Sequence, residues 1–250
     1  MVRGIQGIDV IIPALGMMLS SNVTLKSLSV QKIKTTVKVL HNPSPHLQTL
    51  SCLVNALKKN KNSGLESITF GDIPFTNEVI VALIPALPAV TELSFTHCLM
   101  NQSVMVHLFQ ALKEYPGLTK RLQSLDIADN TLGPDGSTAL AAWMNEAVPL
   151  SLSSINLAGT SPVWPVVITA LQKREMNVRQ LDISRNVIYD KVFCVLNPFI
   201  AGGHVVNLGV GELKGDVTMI EGLCGSLLLN PNLKATSLIL DNTSMDCYIL

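Results

Sequence analysis

Apolar residues recur along this chain in a short pattern that returns about once per thirty residues. In "LQSLDIADNTLG", from Leu122 to Gly133, they fall at Leu122, Leu125, Ile127 and Leu132, with Asn130 among them. "VRQLDISRNVI" repeats the slots at Val178, Leu181, Ile183, Asn186 and Ile188, and "LSSINLAGT" repeats them at Leu152, Ile155 and Leu157 with Thr160 in place of the asparagine. Further copies begin at Leu25, Leu65, Val90, Val205 and Ala235, so that eight copies follow one another in steps of 25 to 32 residues after a first step of 40. Self-similarity at a fixed period fixes the fold class before any local motif does. Within each copy the alternation has period two, which is a short strand with one face inward. Where the chain leaves the strand, a buried asparagine amide can satisfy backbone groups that the turn leaves unpaired.

Between the copies the period becomes helical. Leu140, Trp143, Met144 and Ala147 form one stripe, preceded by Pro134 and Asp135, which suit a first helical turn. "TNEVIVALIPAL" opens on Thr76, and "NQSVMVHLFQALKEYPG" reads as a helix stopped by Pro116-Gly117. A strand, a turn and a helix per copy give a unit that cannot bury its own core, so neighbours share one interior.

The pattern L-x-x-L-x-L-x-x-N resembles the leucine-rich repeat, and the unit length resembles its ribonuclease-inhibitor-like class. The resemblance implies an α/β fold: a right-handed horseshoe with a parallel sheet on the concave side and helices on the convex side. Residues 1–250 then form a single domain of about eight strand-bearing repeats. Only Asn130 and Asn186 fill the asparagine slot; Ile33, Ile73, Cys98, Thr160, Leu213 and Thr243 occupy it elsewhere, which breaks the expected hydrogen-bonded ladder. Both ends read as open, since a helix half-repeat precedes Leu25 and no closing helix follows Asn242. A piece of a longer array, or a homodimer through the open solenoid ends, is the expectation. The long first step holds an insertion at residues 34–45, with Pro43 and Pro45 barring regular structure at its end.

Composition narrows the chemistry. The 250 residues are 48% hydrophobic and 4% aromatic, so the core is aliphatic; only 14% are charged and the formal net charge is zero. With no basic patch, nucleic acid is not an expected partner. "KKNKN", from Lys58 to Asn62, reads as a solvated helix end. Cys52, Cys98, Cys194, Cys224 and Cys247 lack any C-x-x-C spacing and read as reduced, mostly buried thiols of a cytoplasmic protein. The charge-free run from Val192 to Gly211 contains Asn197, Pro198, Gly202, Gly203 and His204, and the repeat register passes through it, so no transmembrane segment is expected.

Catalytic and ligand motifs are not evident. The five histidines pair with no cysteine or carboxylate at metal-ligand spacing, "GVGELKG" from Gly209 has the wrong spacing for a phosphate loop, and no nucleophile elbow occurs. Neither an enzyme nor a cofactor is expected. What the repeat offers instead is the outward slots of its strands, a column of small polar residues. It includes Glu92, Asp126, Asn156 and Asp182, with Asp241 in a neighbouring slot. These five are the candidate protein-binding residues for a basic partner, with a merely solvated sheet face as the alternative. Trp143 is expected in the core. Trp164 and Tyr189 are expected exposed at the turn-side edge, with packing against the next repeat as the equal alternative for Trp164.

"ALKKNKNSGLESITF" and "LLLNPNLKATSLILDNTSM" join a helix end, an N-x-N or N-P-N turn and a strand. Both are similar to the leucine-rich repeats of the CARMIL family, linkers of capping protein, actin-nucleating complex and myosin-I. That resemblance implies a cytoplasmic, cortex-associated scaffold that acts on actin-cytoskeleton regulators. The family's capping-protein-binding tail and lipid-binding domain have no counterpart in these residues, so no capping-protein-binding residue is carried over. Two alternatives share the repeat. One is a leucine-rich-repeat GTPase-activating protein, for which Arg185 is the residue to watch; the other is a fragment of an innate-immune receptor or inhibitor.

Overall fold

A strand of three to five residues with one apolar face is stable only beside other strands and under a helix that covers that face. The computed structural model, which describes residues 2–3, 8–31, 45–87, 90–146, 150–173, 178–188, 190–213 and 217–232, builds this arrangement repeatedly. Among the described residues eight strands lie side by side in chain order, all parallel: β1 (Val2–Arg3), β2 (Ser27–Gln31), β3 (Ser67–Gly71), β4 (Glu92–Thr96), β5 (Ser124–Asp126), β6 (Ser154–Asn156), β7 (Val178–Asp182) and β8 (Val205–Gly209). Seven of them are the repeat strands that the sequence pattern predicts. The two-residue β1 carries no readable pattern. The strand expected from Ala235, with Asp241 and Thr243, lies outside the described residues, as does nearly all of the 34–45 insertion.

Helices form the crossovers: α1 (Ile8–Leu19), α2 (Pro45–Lys59), α3 (Asn77–Leu83, continued by a 3-10 turn at Ile84–Ala86), α4 (Gln102–Glu114), α5 (Pro116–Thr119), α6 (Gly133–Glu146), α7 (Trp164–Lys173), α8 (Asp190–Ala201) and α9 (Val217–Leu229). Strands sit about 4.8 Å apart, whereas packed helices need about 8–10 Å. One helical crossover per strand therefore curls the sheet toward its uncovered face.

The core is one continuous aliphatic column. Leu28, Ile68, Leu93, Leu125, Ile155, Leu181 and Leu208, one per strand, are all 5% exposed or less. Two aromatic clusters are set into it. Phe70 stacks on Phe95 at 5.6 Å with Phe75 edge-on to both, and Phe109 stacks on Trp143 at 5.8 Å.

The two asparagines close the turns. Asn130 Oδ1 accepts from the backbone N–H groups of Cys98 (2.9 Å) and Met100 (3.0 Å) in the preceding repeat, and its Nδ2 donates to the carbonyls of Phe95, Ile127 and Ala128. Asn186 does the same for Thr160 and Ser161, and donates to Leu157, Ile183 and Ser184. In the same slot the Thr160 hydroxyl donates to the Leu157 carbonyl alone, and the Cys98 thiol makes weak contacts to the carbonyls of Phe70 and Thr96. Among the described residues the ladder is thus broken at Ile73, Cys98, Thr160 and Leu213, while Ile33 and Thr243 lie outside them. A second asparagine set ties a helix end to the coil before it: the buried Asn60 donates to the carbonyls of Leu19 and Asn22, and the buried Asn230 to that of Val205 at the start of β8. This is what the N-x-N and N-P-N turns accomplish.

Two expectations change. Pro116-Gly117 does not merely stop α4; Pro116 opens the short α5, whose buried Thr119 donates to Leu112 and accepts from the Trp143 indole. The cysteines are mostly exposed rather than buried: Cys98 is buried, while Cys52, Cys194 and Cys224 face outward on α2, α8 and α9. Cys247 and Tyr189 lie outside the described residues. Trp164 opens α7 inside the core, 2% exposed, so of its two readings packing is the one realised. The charge-free run from Val192 to Gly211 divides between α8 and β8, and no described helix is long and apolar enough to cross a membrane.

Candidate protein-docking face

The uncovered side of the sheet carries two registered columns. Ser27, Ser67, Glu92, Ser124, Ser154, Gln180 and Asn207 pair strand to strand in one, and Ser29, Thr69, Ser94, Asp126, Asn156, Asp182 and Gly209 in the other. Adjacent repeats therefore bring Asp126, Asn156 and Asp182 together in a single row. Glu92 stands in the other column, paired with Ser124, and is not part of that row. Asp241 lies outside the described residues.

The row is held by the same device three times. Asp126 Oδ1 accepts from Ala128 N at 3.0 Å, Asn156 Oδ1 from Ala158 N at 3.0 Å, and Asp182 Oδ1 from Ser184 N at 2.9 Å. A side-chain oxygen bonded to the N–H two residues on ends the strand and orients the group. The two carboxylates then lean apart. Asp126 Oδ2 accepts from the hydroxyls of Ser94 and Thr96 on β4, each at 3.4 Å. Asp182 leans over Gly209, where a β-carbon would lie 2.6 Å from its Cγ. Between them opens a cavity of about 290 Å³ lined by Ser124, Asp126, Asn156, Gln180, Asp182 and Asn207 among others. Burial pushes the Asp126 carboxyl above the ordinary range, against the pull of the Ala128 N–H and the side chains of Thr96, Ser94 and Asn156.

A charged edge that the sequence pattern leaves unmarked borders this row. Asp72, His97, Asp129, Gly159, Arg185 and Glu212 hold equivalent turn positions, all with φ between 53° and 65°. His97 Nδ1 meets Asp72 Oδ1 at 2.6 Å. Arg185 passes over Gly159 to Asp129, Nε to Oδ1 at 3.1 Å and Nη2 to Oδ2 at 2.9 Å. Burial would lower the Arg185 pKa, but the bond to Asp129 and the charges of Asp129, Asp182 and Glu212 raise it overall. The signal available in sequence was weak: aspartate and glycine tolerate left-handed backbone, but histidine, arginine and glutamate in the same slot mask it.

Parallel strands in chain order, a helix on each crossover, and buried asparagines bridging turn to turn define the architecture. The chain is a leucine-rich-repeat solenoid. No family model matches it. Over 223 residues it is 24% identical to Protein CARMIL of Dictyostelium discoideum, covering 86% of this chain and 21% of that protein. The chain thus spans about a fifth of the length of that curated relative. Among solved structures it is similar to the tropomodulin C-terminal domain of Caenorhabditis elegans, at 12% identity and a TM-score of 0.41, over 72% of this chain and 92% of that one. It is also similar to TLR13 from a TLR13–ssRNA13 complex, at 18% identity and a TM-score of 0.45, over 86% of this chain and 29% of that one. Among the described residues of the solenoid, no group of three or more His, Cys, Asp or Glu is placed to hold a metal ion.

Proposed function

We propose that this solenoid is a non-enzymatic docking scaffold for protein partners of the actin cytoskeleton, and that its uncovered sheet face is the surface that binds them. The observation that carries the docking surface is the row Asp126–Asn156–Asp182, three oriented polar side chains over a recess in an otherwise uncovered sheet. A side-chain row on a rigid sheet is pre-organised, so little ordering entropy opposes binding. The actin assignment draws on the similarity to Protein CARMIL along most of this chain. A cytoplasmic location at the cell cortex accompanies that reading.

The test is capture from cell lysate by the wild-type chain and by a variant carrying Asp126→Lys and Asp182→Lys, with the bound proteins identified by mass spectrometry. Actin-cortex proteins in the wild-type catch and absent from the variant catch are the expected result. Their equal retention by the folded variant would remove the docking face, and their absence from both would remove the actin assignment. The GTPase-activating alternative makes a different demand, acceleration of GTP hydrolysis that Arg185→Ala abolishes. In the structure that guanidinium is closed on Asp129.

A further inference from the structure

The recess on the sheet face is small. At about 290 Å³ it stands at the lower limit of sites that enclose a drug-sized molecule, and it suits a single long side chain. Its chemistry is acceptor-rich and anionic. Asp126 and Asp182 flank Asn156 at two strand spacings, roughly 10 Å between Cα atoms, and Gln180 and Asn207 line the neighbouring column. The nearest cation of the turn edge, Arg185, has its Nε and Nη2 engaged by Asp129. Asp182 uses Oδ1 on the Ser184 N–H, and among the described residues its Oδ2 accepts no hydrogen bond. Arg179, at the start of β7, lies outside the lining. The recess therefore has a carboxylate toward either end and, among the described residues, no cation in its lining.

We propose that this recess is the receptor for one arginine side chain, presented by an extended segment of a partner protein laid along the solenoid. The proposal deepens the docking-face reading and rests on it. Arginine fits better than lysine for three reasons. Its guanidinium is planar and weakly hydrated, so it enters a half-buried recess at less cost than an ammonium. Its fork meets a carboxylate through two parallel bonds, which Asp182 can accept. Its remaining N–H groups then lie among the amide oxygens of Asn156 and Asn207, whereas the three donors of an ammonium radiate from one nitrogen and do not span carboxylate and amides together. The small neighbours Ser124, Ser154 and Gly209 are what leave the space; a larger side chain at any of them would close it.

The experiment is an NMR titration of the full chain with three synthetic heptapeptides that differ only at the centre: arginine, lysine or the uncharged isostere citrulline. The backbone amides of Ala158 and Ser184, which donate to Asn156 and Asp182, report on the recess directly. Saturable shifts of those two amides by the arginine peptide are expected, with at least fivefold weaker binding of the lysine peptide and no saturation with citrulline. Asp182→Asn keeps the acceptor for Ser184 and the shape of the side chain, so it leaves the fold intact, and it is expected to weaken the arginine peptide at least fivefold. Glu92→Gln, in the other column, is expected to change binding less than twofold. Equal binding of citrulline and arginine, unchanged affinity in Asp182→Asn, or shifts confined to other amides would overturn the proposal. If lysate partners are lost on charge reversal of the face while the arginine peptide moves neither amide, the recess assignment fails and the docking face stands. If neither occurs, both fail.

Discussion

Arg185 lies across the repeat that contains Gly159 and closes on Asp129, fifty-six residues earlier, through two hydrogen bonds of 2.9 and 3.1 Å. The close approach is what requires glycine between them: a β-carbon there would lie 2.4 Å from Asp129 Oδ1, and the φ of +65° adds strain for any other residue. Gly159→Ala therefore strains the backbone and pushes the carboxylate out of the pair. A loss of about 1–2 kcal/mol is expected from the left-handed backbone alone, seen as a fall in Tm of a few degrees by calorimetry. Arg185→Ala removes only a partly exposed ion pair and should cost under about 1 kcal/mol. If Gly159→Ala melts with the wild type, the pairing geometry is wrong.

The asparagine bridges make a larger claim on stability. Asn130→Ala would strand the buried N–H groups of Cys98 and Met100 and take the amide donor from the carbonyls of Phe95 and Ile127, while Ala128 keeps the His97 N–H. Each unsatisfied buried group costs about 1–3 kcal/mol before relaxation, so a total loss of roughly 3–5 kcal/mol is expected in urea unfolding. Thr160→Val, which loses one hydroxyl bond to Leu157, should cost about 1 kcal/mol. Equal midpoints for the two variants would mean that the ladder does not hold the turns.

Asp126 trades stability for a charge on the docking face. Its carboxyl pKa is raised in the folded chain, chiefly by burial. The group therefore favours folding when protonated, and that contribution is lost as pH rises through the folded value. Asp126→Asn should accordingly be more stable than the wild type at pH 7, with the difference vanishing below the ordinary carboxylate value of about 4. Denaturant titrations of both chains at several pH values decide it. A variant less stable at pH 7 would show that the hydrogen bonds to Ala128, Ser94 and Thr96 outweigh burial.

The thiols divide by exposure. Cys98 is buried and its thiol is pushed up to about 12, mainly by burial, so it should resist alkylation in the native state. Cys52, Cys194 and Cys224 face outward and should react at pH 8. Site-resolved mass spectrometry after a short iodoacetamide pulse checks this, and rapid labelling of Cys98 would contradict the packing of β4 against its neighbours.

The repeat strands and the two polar columns were legible in sequence because strand periodicity is short and each copy restates it. Asp126 and Asp182 could be assigned to one face from slot counting alone. Their company with Asn156 in a recess needed the register, which puts β5, β6 and β7 side by side, and Gly209, whose missing side chain gives Asp182 room. The Arg185–Asp129 closure was not legible, since it skips a repeat and depends on one glycine. The cysteine exposures failed because composition says how often a thiol is buried, and only the phase of each helix says which one is. Thr119 shows the same limit: a proline after a helix reads as a stop, yet here it starts the turn that caps Trp143.

Carboxyl footprinting of the chain, free and bound to a captured partner, tests the docking face most directly. Carbodiimide coupling should mark Asp126 and Asp182 in the free chain and lose both on binding, while Glu114 on α4 and Glu221 on α9 label equally in the two states. Protection of Glu114 or Glu221 with Asp126 and Asp182 still reactive would place the partner on the helices and contradict the account.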